Sequence, residues 1–204
     1  DDIRKIDWNV FARTFSPHIK EYIDEEDVNV WIILDLTPSM FFGQSQSKAD
    51  LAVELAGLIG LLTVKQQCKL GFVILDGKQP HVIQAKRSLT HLQYGLQHIL
   101  DHYCQNPYPV APLLSPDSVF SELKHLIQRR SMVFILSDFF NLSDEGQKAI
   151  GELSRKNTLF SFCFTDPSEQ SFPQKIGLID IFDPESGDLL TIDTNDAKAV
   201  SHIN

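Results

Sequence analysis

Two apolar runs that each end on an aspartate constrain the fold of this chain more than any other feature. Residues 30–39 read Val-Trp-Ile-Ile-Leu-Asp-Leu-Thr-Pro-Ser, and residues 132–138 read Met-Val-Phe-Ile-Leu-Ser-Asp. Continuous apolar runs of this length, bounded by turns, are typical of strands that a parallel sheet buries on both faces. We therefore predict buried strands over residues 28–35 and 132–138.

Helical patterns alternate with the predicted strands. Ser47 can cap a helix over about 48–66, whose apolar face is predicted to contain Leu51, Leu55, Leu58, Ile59 and Leu62. Further strands are expected at 69–75, 159–165, 178–182 and 188–193, and further helices at 90–103, 117–129 and 144–156. Strands that alternate with helices predict a doubly wound, mainly parallel α/β sheet with helices on both faces. We expect a single globular unit over 28–204, preceded by a lead-in segment over 1–27.

Composition and charge narrow the classes of partner. The chain has 18 Lys and Arg against 27 Asp and Glu, a net charge of −9, which argues against nucleic acid as a partner. No run reaches the roughly 18–20 apolar residues of a membrane span, so we expect no membrane contact by this fragment. Cys163 lies in an apolar run and is predicted to be a buried free thiol, which fits a cytoplasmic setting.

Oxygen-bearing side chains follow the first apolar run and predict a metal site. The carboxyl ends of parallel strands are where α/β sheets bind ligands. Asp35, Thr37 and Ser39 offer one carboxylate and two hydroxyls, a set suited to a hard cation such as Mg²⁺, with Mn²⁺ or Ca²⁺ as substitutes. If the two strands are neighbours, Asp138 faces the same crevice, and the two carboxylates repel unless a cation or a proton neutralises one. The alternative interpretation is a polar turn that only caps a strand.

The same residues resemble a known site. Asp-x-Thr-x-Ser after an apolar strand, followed about a hundred residues later by apolar-Ser-Asp, resembles the metal-ion-dependent adhesion site of von Willebrand factor A domains. The usual first motif is Asp-x-Ser-x-Ser, so Thr37 is a departure that preserves the oxygen. These domains also supply a Thr from a second loop, where this chain has none. The resemblance makes Asp117 or Ser118 the expected substitute, with Ser115 as a further candidate.

Other motifs resemble a narrower group, an uncharacterised bacterial family encoded beside MoxR-type AAA+ ATPases. The motifs are Arg4-Lys5-Ile6-Asp7-Trp8, Ala12-Arg13, Lys48, Ser137-Asp138-Phe139, Asp166-Pro167-x-Glu169 and Asp183-Pro184-Glu185-x-Gly187. The resemblance implies that this chain is a fragment and that residues precede Asp1 in the intact protein, sometimes including membrane helices. It also implies a MoxR-type ATPase and the client of that machine as partners.

The first functional hypothesis is a binding module that makes and breaks no covalent bond. In adhesion-site domains an acidic side chain of the partner completes the coordination of the cation. Met40, Phe41 and Phe42 follow the motif and are expected to form an apolar rim for such a partner, although packing beneath the loop is an equal alternative. We therefore predict metal-dependent protein binding that serves the assembly or maturation of protein complexes.

The second hypothesis is an enzyme. The 35–39 loop is also similar to the phosphorylation loop of haloacid-dehalogenase-like phosphoryl transferases, with Asp35 as nucleophile and Asp138 and Asp144 as Mg²⁺ ligands. Against it, Thr37 stands where phosphatases of that class place a second Asp. A Gly-Asp pair is also missing before Asp138, and no Lys is obviously placed for the phosphate.

Histidines give a weaker signal. His98 and His102 are spaced i, i+4 on one predicted helix, a spacing that can clamp a transition metal. No Glu or Cys ligand is adjacent, so we predict that they are exposed helix residues.

Overall fold

The computed structural model describes residues 28–43, 46–105, 116–140, 142–169, 178–182 and 189–193. In this part of the chain, five strands form one sheet and two more form an antiparallel pair. The strands are β1 (Asn29–Asp35), β2 (Lys69–Leu75), β3 (Pro80–Lys86), β4 (Met132–Ser137), β5 (Thr158–Cys163), β6 (Leu178–Phe182) and β7 (Leu189–Asp193). The proposed lead-in segment over 1–27 and the motif at 183–187 lie outside the described residues.

The order of the main sheet is β3-β2-β1-β4-β5. Strand β1 pairs in parallel with β2 and β4, and β4 pairs in parallel with β5. Among the strands of the main sheet that the structure describes, only β3 runs antiparallel, because it returns from β2 through the hairpin at Asp76-Gly77. The predicted mainly parallel sheet is therefore confirmed, and the two aspartate-terminated strands are direct neighbours.

Four helices connect the strands within the described residues. They are α1 (Lys48–Lys65), α2 (Leu89–Gln105), α3 (Pro116–Leu126) and α4 (Asp144–Ser154). Ser47 caps α1 in a reciprocal capping box with Asp50, and the Ser143 hydroxyl accepts hydrogen bonds from the first backbone N–H groups of α4. No described helix combines the length and the apolar character needed to cross a bilayer.

The sheet is buried on both faces, as predicted for a doubly wound fold. Alternate residues of β1 point to opposite faces, so Ile32 and Leu34 pack with α1 and α2, while Trp31 and Ile33 pack with α3 and α4. Each fully buried side chain of this size contributes about 1.5–3 kcal/mol. Because both faces of β1 are covered, the strand holds Asp35 in a fixed position at the carboxyl-terminal edge of the sheet.

Helix α1 packs through a different face from the one that its leucines predicted. Leu51, Leu58 and Leu62 are exposed, whereas the buried side is formed mainly by small residues. These buried residues are Ala49, Ala52, Ala56, Ile59, Gly60 and Thr63. Small side chains let the helix axis approach the sheet closely. Because apolar residues occur all round α1, the periodicity of its sequence does not identify which face is buried.

Strand β5 lies at the edge of the sheet, and this position corrects the prediction for Cys163. The Cys163 side chain is exposed, and Cys68, Cys104 and Cys163 are free thiols. An apolar run therefore did not guarantee burial here, because an edge strand of the described sheet has a neighbour on one side only.

Two helical glycines, one packed against the sheet and one not, test how closely the helices pack on the sheet. A Cβ atom on Gly95 would lie 2.2 Å from the ring of buried Phe72, whereas one on Gly151 would have no atom within 4 Å. We expect Gly95→Ala to lower the free energy of unfolding by about 1–3 kcal/mol through overpacking. We expect Gly151→Ala to raise it by about 0.5–1 kcal/mol, since alanine favours a helix. Urea denaturation of both variants measures the two changes, and a stable Gly95→Ala protein would contradict the described contact between α2 and β2.

Candidate functional site

The site lies where β1 and β4 end side by side. Leu34 pairs with Leu136, so Asp35 at the end of β1 is level with Ser137 at the end of β4. From β1 the chain continues to β2 on one side, while β4 lies on the other, so this edge is a topological switch point. Open α/β sheets bind ligands at such points.

Both carboxylate oxygens of Asp35 accept hydrogen bonds. Oδ1 accepts from the backbone N–H of Thr37 at 2.9 Å and from the Thr37 hydroxyl at 2.6 Å. Oδ2 accepts from the Ser137 hydroxyl at 2.6 Å, and Ser137 Oγ in turn accepts from the backbone N–H of Phe139. Ser137 is thus a residue of the candidate site that sequence reasoning missed, although it stands in the Ser-Asp-Phe motif.

Burial shapes the charge of Asp35. The side chain is 7% exposed, and this burial raises the pKa of its carboxyl above the ordinary value. The hydrogen bonds from Ser137 and Thr37 act in the opposite direction without cancelling the effect, and the negative charge of Asp138 adds to the rise. A buried carboxylate in this state is stabilised by any nearby positive charge, and it takes up a proton more readily than usual.

The two hydroxyls of the motif converge in front of Asp35. Thr37 Oγ1 and Ser39 Oγ are 3.3 Å apart. In an octahedral Mg²⁺ site, adjacent oxygen ligands are about 2.9 Å apart, so the two hydroxyls fit one edge of such a site with a small adjustment. The donor set contains oxygen only, which is what a hard cation requires. Asp35, Thr37 and Ser39 therefore fit the predicted group.

Asp138 is held by a side chain that the metal hypothesis did not use. Lys48 Nζ donates to Asp138 Oδ2 at 2.7 Å and to Glu169 Oε1 at 2.5 Å, and Lys48 and Asp138 are each 5% exposed at the side chain. Asp138 Oδ1 accepts from the backbone N–H of Phe140. Burial alone would lower the pKa of the Lys48 ammonium, but the hydrogen bonds and charges of Asp138 and Glu169 outweigh it and leave that pKa raised.

The positive charge that we expected beside Asp138 is therefore the ammonium group of Lys48. Lys48 is the first residue of α1, and its long side chain reaches across the crevice to the end of β4. A metal ion at Thr37 and Ser39 would have Asp35 behind it, with Asp138 already paired. The Lys48 and Glu169 motifs of the sequence thus meet in one ion-pair cluster, which their separation of 121 positions concealed.

The expected apolar rim is only partly present. Met40 is fully buried in the core, which corrects its assignment as a partner-binding residue. Phe41 is half-buried and stacks on Tyr103 with ring centroids 5.5 Å apart. Phe42 is 46% exposed and remains available to a partner. Within the short 3₁₀ turn Pro38–Phe41, the buried side chains are Pro38 and Met40.

A cleft of about 450 Å³ opens beside Asp35 and Thr37. Its walls are largely apolar and include Val119 and Phe120 of α3 and the loop residues Phe139, Phe140 and Leu142. Phe139 has a φ of 56°, a left-handed conformation that is costly for a large side chain. Phe140 is 58% exposed at the mouth of the cleft.

The remaining candidate ligands are less informative. Asp117 and Ser118 lie at the start of α3, but their side chains are outside the part of the chain that the structure describes. Asp144, a metal ligand in the enzyme hypothesis, is exposed in the first turn of α4. The sequence-based objection that no Lys is placed at the site is wrong, because Lys48 contacts Asp138.

Sequence comparison decides the family. The profile of the family described as "Protein of unknown function DUF58" matches residues 1–203. The chain belongs to this family. The predicted membership in a family of uncharacterised proteins is confirmed, and the family description names no activity.

Relatives of this DUF58 chain include two mycobacterial proteins. They are described as "Uncharacterized protein Rv1480" from Mycobacterium tuberculosis and "Uncharacterized protein Mb1516" from Mycobacterium bovis, and each is 28% identical over 188 residues. The matched region covers 92% of the DUF58 chain and 58% of each relative. The chain therefore spans less than two thirds of the length of these relatives.

Two solved structures resemble the DUF58 chain, each with a TM-score of 0.48. One is an aerotolerance-related membrane protein from Bacteroides fragilis, 14% identical, with 84% of both chains covered. The other is the conserved hypothetical protein BatB from Bacteroides thetaiotaomicron, 16% identical, with 86% of the DUF58 chain and 84% of the other covered.

The ion-pair cluster predicts a large effect of removing Lys48. Lys48→Met leaves Asp138 buried and unpaired, so we expect the free energy of unfolding of the DUF58 chain to fall by about 3–5 kcal/mol. The double variant Lys48→Met/Asp138→Asn removes the stranded charge and should regain most of that loss. Glu169→Gln is the matched control, because its side chain is 34% exposed and we expect a loss below about 1 kcal/mol. Urea unfolding at pH 7 measures all three, and equal losses in the single and double Lys48 variants would contradict the analysis.

The raised pKa of Asp35 predicts a pH-dependent difference. Folding makes this carboxyl hold its proton over a pH range in which the unfolded chain has released it, so its contribution to stability is present at acid pH and is lost as pH rises through the folded-state pKa. Asp35→Asn stays neutral throughout. The variant-minus-wild-type difference in unfolding free energy should therefore grow above about pH 4, by at most about 1.4 kcal/mol per pH unit, and then level off. Denaturant titrations in EDTA over a pH series measure it, and a flat difference would refute the raised pKa.

Proposed function

We propose that this chain is a protein-binding module that holds a hard divalent cation at Asp35, Thr37 and Ser39 and selects a partner with an acidic side chain. The observation that carries the proposal is a buried Asp35 carboxylate with two converging hydroxyls in front of it, at the edge of an apolar cleft. Mg²⁺ is the preferred ion, with Mn²⁺ or Ca²⁺ as substitutes.

The charge of the crevice supports dependence on a cation. Among the residues that the structure describes, one ammonium, Lys48, faces the carboxylates of Asp138 and Glu169, and the charge of Asp138 acts on Asp35. Negative charge is therefore in excess when Asp35 is ionised. An approaching acidic side chain would be repelled, because like charges across an interface are unfavourable. A cation in the crevice would reverse this preference.

The residues around the proposed cation have different roles in binding the ion and the partner. Thr37 and Ser39 would hold the cation with Asp35 behind them, and the bound ion would supply the positive charge that attracts the carboxylate of a partner. Ser137 and the Thr37 backbone fix the Asp35 carboxylate in one orientation. Lys48 keeps Asp138 paired, so that this second carboxylate does not compete with the partner for the same position.

The cleft beside Asp35 would supply the remainder of the recognition surface. Phe140 and Phe42 are exposed aromatic side chains on the two loops that follow β4 and β1. Exposed aromatic residues around a polar contact are common in protein interfaces, where they exclude water and add apolar contact area. A partner segment with an acidic residue beside an apolar one fits this arrangement.

The partner that we propose is a MoxR-type AAA+ ATPase, together with its client, in the assembly or maturation of protein complexes. This part rests on the resemblance of the sequence motifs to the family encoded beside such ATPases. Because the chain spans 58% of its mycobacterial relatives, the remaining part of such a protein can contribute to the same task.

The decisive experiment compares variants at constant Mg²⁺, so that the ATPase's own need for Mg²⁺ does not affect the comparison. We expect Asp35→Ala and the double variant Thr37→Val/Ser39→Ala to bind the immobilised neighbouring ATPase at least about 30-fold more weakly, equivalent to about 2 kcal/mol. Biolayer interferometry measures this change. Glu54→Ala, which removes an exposed carboxylate on α1, is the matched control and should bind as wild type does.

Calorimetric titration with Mg²⁺ and Mn²⁺ tests the ion site without any partner. We expect binding by the wild-type chain and by Glu54→Ala, and loss of binding in Asp35→Ala with the fold retained. Equal cation binding by Asp35→Ala would overturn the assignment of the site. Cation binding without ATPase binding would retain the site and exclude this ATPase as the partner.

A further inference from the structure

A second cluster of ligand-type side chains lies one strand away from the site described above. Asp76 directly follows β2, His81 lies in β3, and His102 lies near the end of α2. The Asp76 Oδ2 atom is 2.9 Å from His81 Nε2 and 3.7 Å from His102 Nδ1. The two imidazole rings are 4.1 Å apart between centroids, and the three ligand atoms all lie within 4.8 Å of one another.

The Asp76 carboxylate is held in place by the turn that follows it. Its Oδ1 atom accepts hydrogen bonds from the backbone N–H groups of Lys78 at 2.9 Å and Gln79 at 3.1 Å. The other oxygen, Oδ2, is therefore directed at the two imidazoles. Asp76 is 6% exposed, whereas His102 and His81 are 18% and 28% exposed, so the cluster is buried on one side and open to solvent on the other. A fixed carboxylate with two rings around it is a pre-organised arrangement.

We propose that Asp76, His81 and His102 form a binding site for a divalent transition metal ion of the Zn²⁺ class. Two imidazole nitrogens and one carboxylate oxygen suit such ions, whereas Mg²⁺ and Ca²⁺ prefer oxygen ligands alone. In a tetrahedral zinc site the ligand atoms are about 3.3 Å apart, a value between the two distances measured from Asp76. Binding through these atoms needs the His81 tautomer with its proton on Nδ1 and the His102 tautomer with its proton on Nε2. Three protein ligands leave a coordination position on the exposed side for water or a further ligand.

The position of this site links it to the cleft. The turn between Asp76 and His81 contains Gly77, Gln79 and Pro80, which also line the cleft beside Asp35. A metal ion bound to both ends of the turn and to α2 would fix that wall of the cleft. The inference does not depend on the proposed cation site at Asp35, because the two sites share no ligand and prefer different ligand atoms.

The test uses metal-free protein without a histidine tag and titrates it with ZnCl₂ in a calorimeter. We expect one equivalent to bind, and His81→Ala and His102→Ala to bind at least about 100-fold more weakly, since loss of a direct ligand exceeds the effect of outer-shell changes. Cys104→Ser and His125→Ala are the matched controls, one for a thiol two positions from His102 and one for an exposed histidine on α3. Both should bind zinc as wild type does.

Cobalt(II) supplies a second readout that does not rely on affinity. The wild-type chain should give the strong visible absorption of tetrahedral Co²⁺, and Asp76→Asn should lose it while retaining the fold by circular dichroism. An excess of Mg²⁺ should leave the spectrum unchanged. Undiminished zinc binding by the double variant His81→Ala/His102→Ala would overturn the proposal. Absence of zinc binding by the wild-type chain would also overturn it, and the cluster would then be a hydrogen-bonded group only.

Discussion

The arrangement of side chains at the carboxyl-terminal edge of the sheet depends on one buried carboxylate, that of Asp35 at the end of β1. Asp35 ends a strand that is covered on both faces, so its carboxylate is largely removed from water, and the two neighbouring elements donate hydrogen bonds to it. The loop after β1 folds back to donate from Thr37, and β4 ends on Ser137, which donates from the other side. Without those donors, the desolvation of this carboxylate would oppose folding of the whole central strand pair.

The Lys48–Asp138 ion pair is the second consequence of placing carboxylates at this edge. Ser47 caps α1, which begins at Lys48, so the ammonium reaches the end of β4 from a rigid helical position. Such a pair adds little net stability when it forms, but it makes the loss of either partner costly. It therefore fixes the position of the first turn of α1 relative to the sheet, and with it the loop that presents Ser39 and Phe42.

The sequence predicted the elements well and the contacts between them poorly, for identifiable reasons. Apolar runs and caps located β1, β4, α1 and α4 because those signals are local. Asp35, Thr37 and Ser39 were found because they lie within five consecutive positions. The Lys48–Asp138 pair spans 90 positions, and Asp76, His81 and His102 meet only because a hairpin and a helix end converge. The sequence left the burial of Met40 undecided between an apolar rim and packing beneath the loop, because a short 3₁₀ turn, unlike a strand or long helix, leaves no periodic pattern.

The two candidate ion sites are mechanically connected by the strands that carry them. The backbone N–H of Leu36 donates to the carbonyl of Leu75 at 2.7 Å, so the residues that follow Asp35 and precede Asp76 are tied together. Any ligand that orders the 76–81 turn therefore acts on the wall of the cleft beside Asp35. If such coupling exists, it must be reciprocal, because an ion at one site can favour binding at the other only as much as the reverse. The ligand atoms keep the two sites chemically distinct, with hydroxyl and carboxylate oxygens at one and imidazole nitrogens dominant at the other.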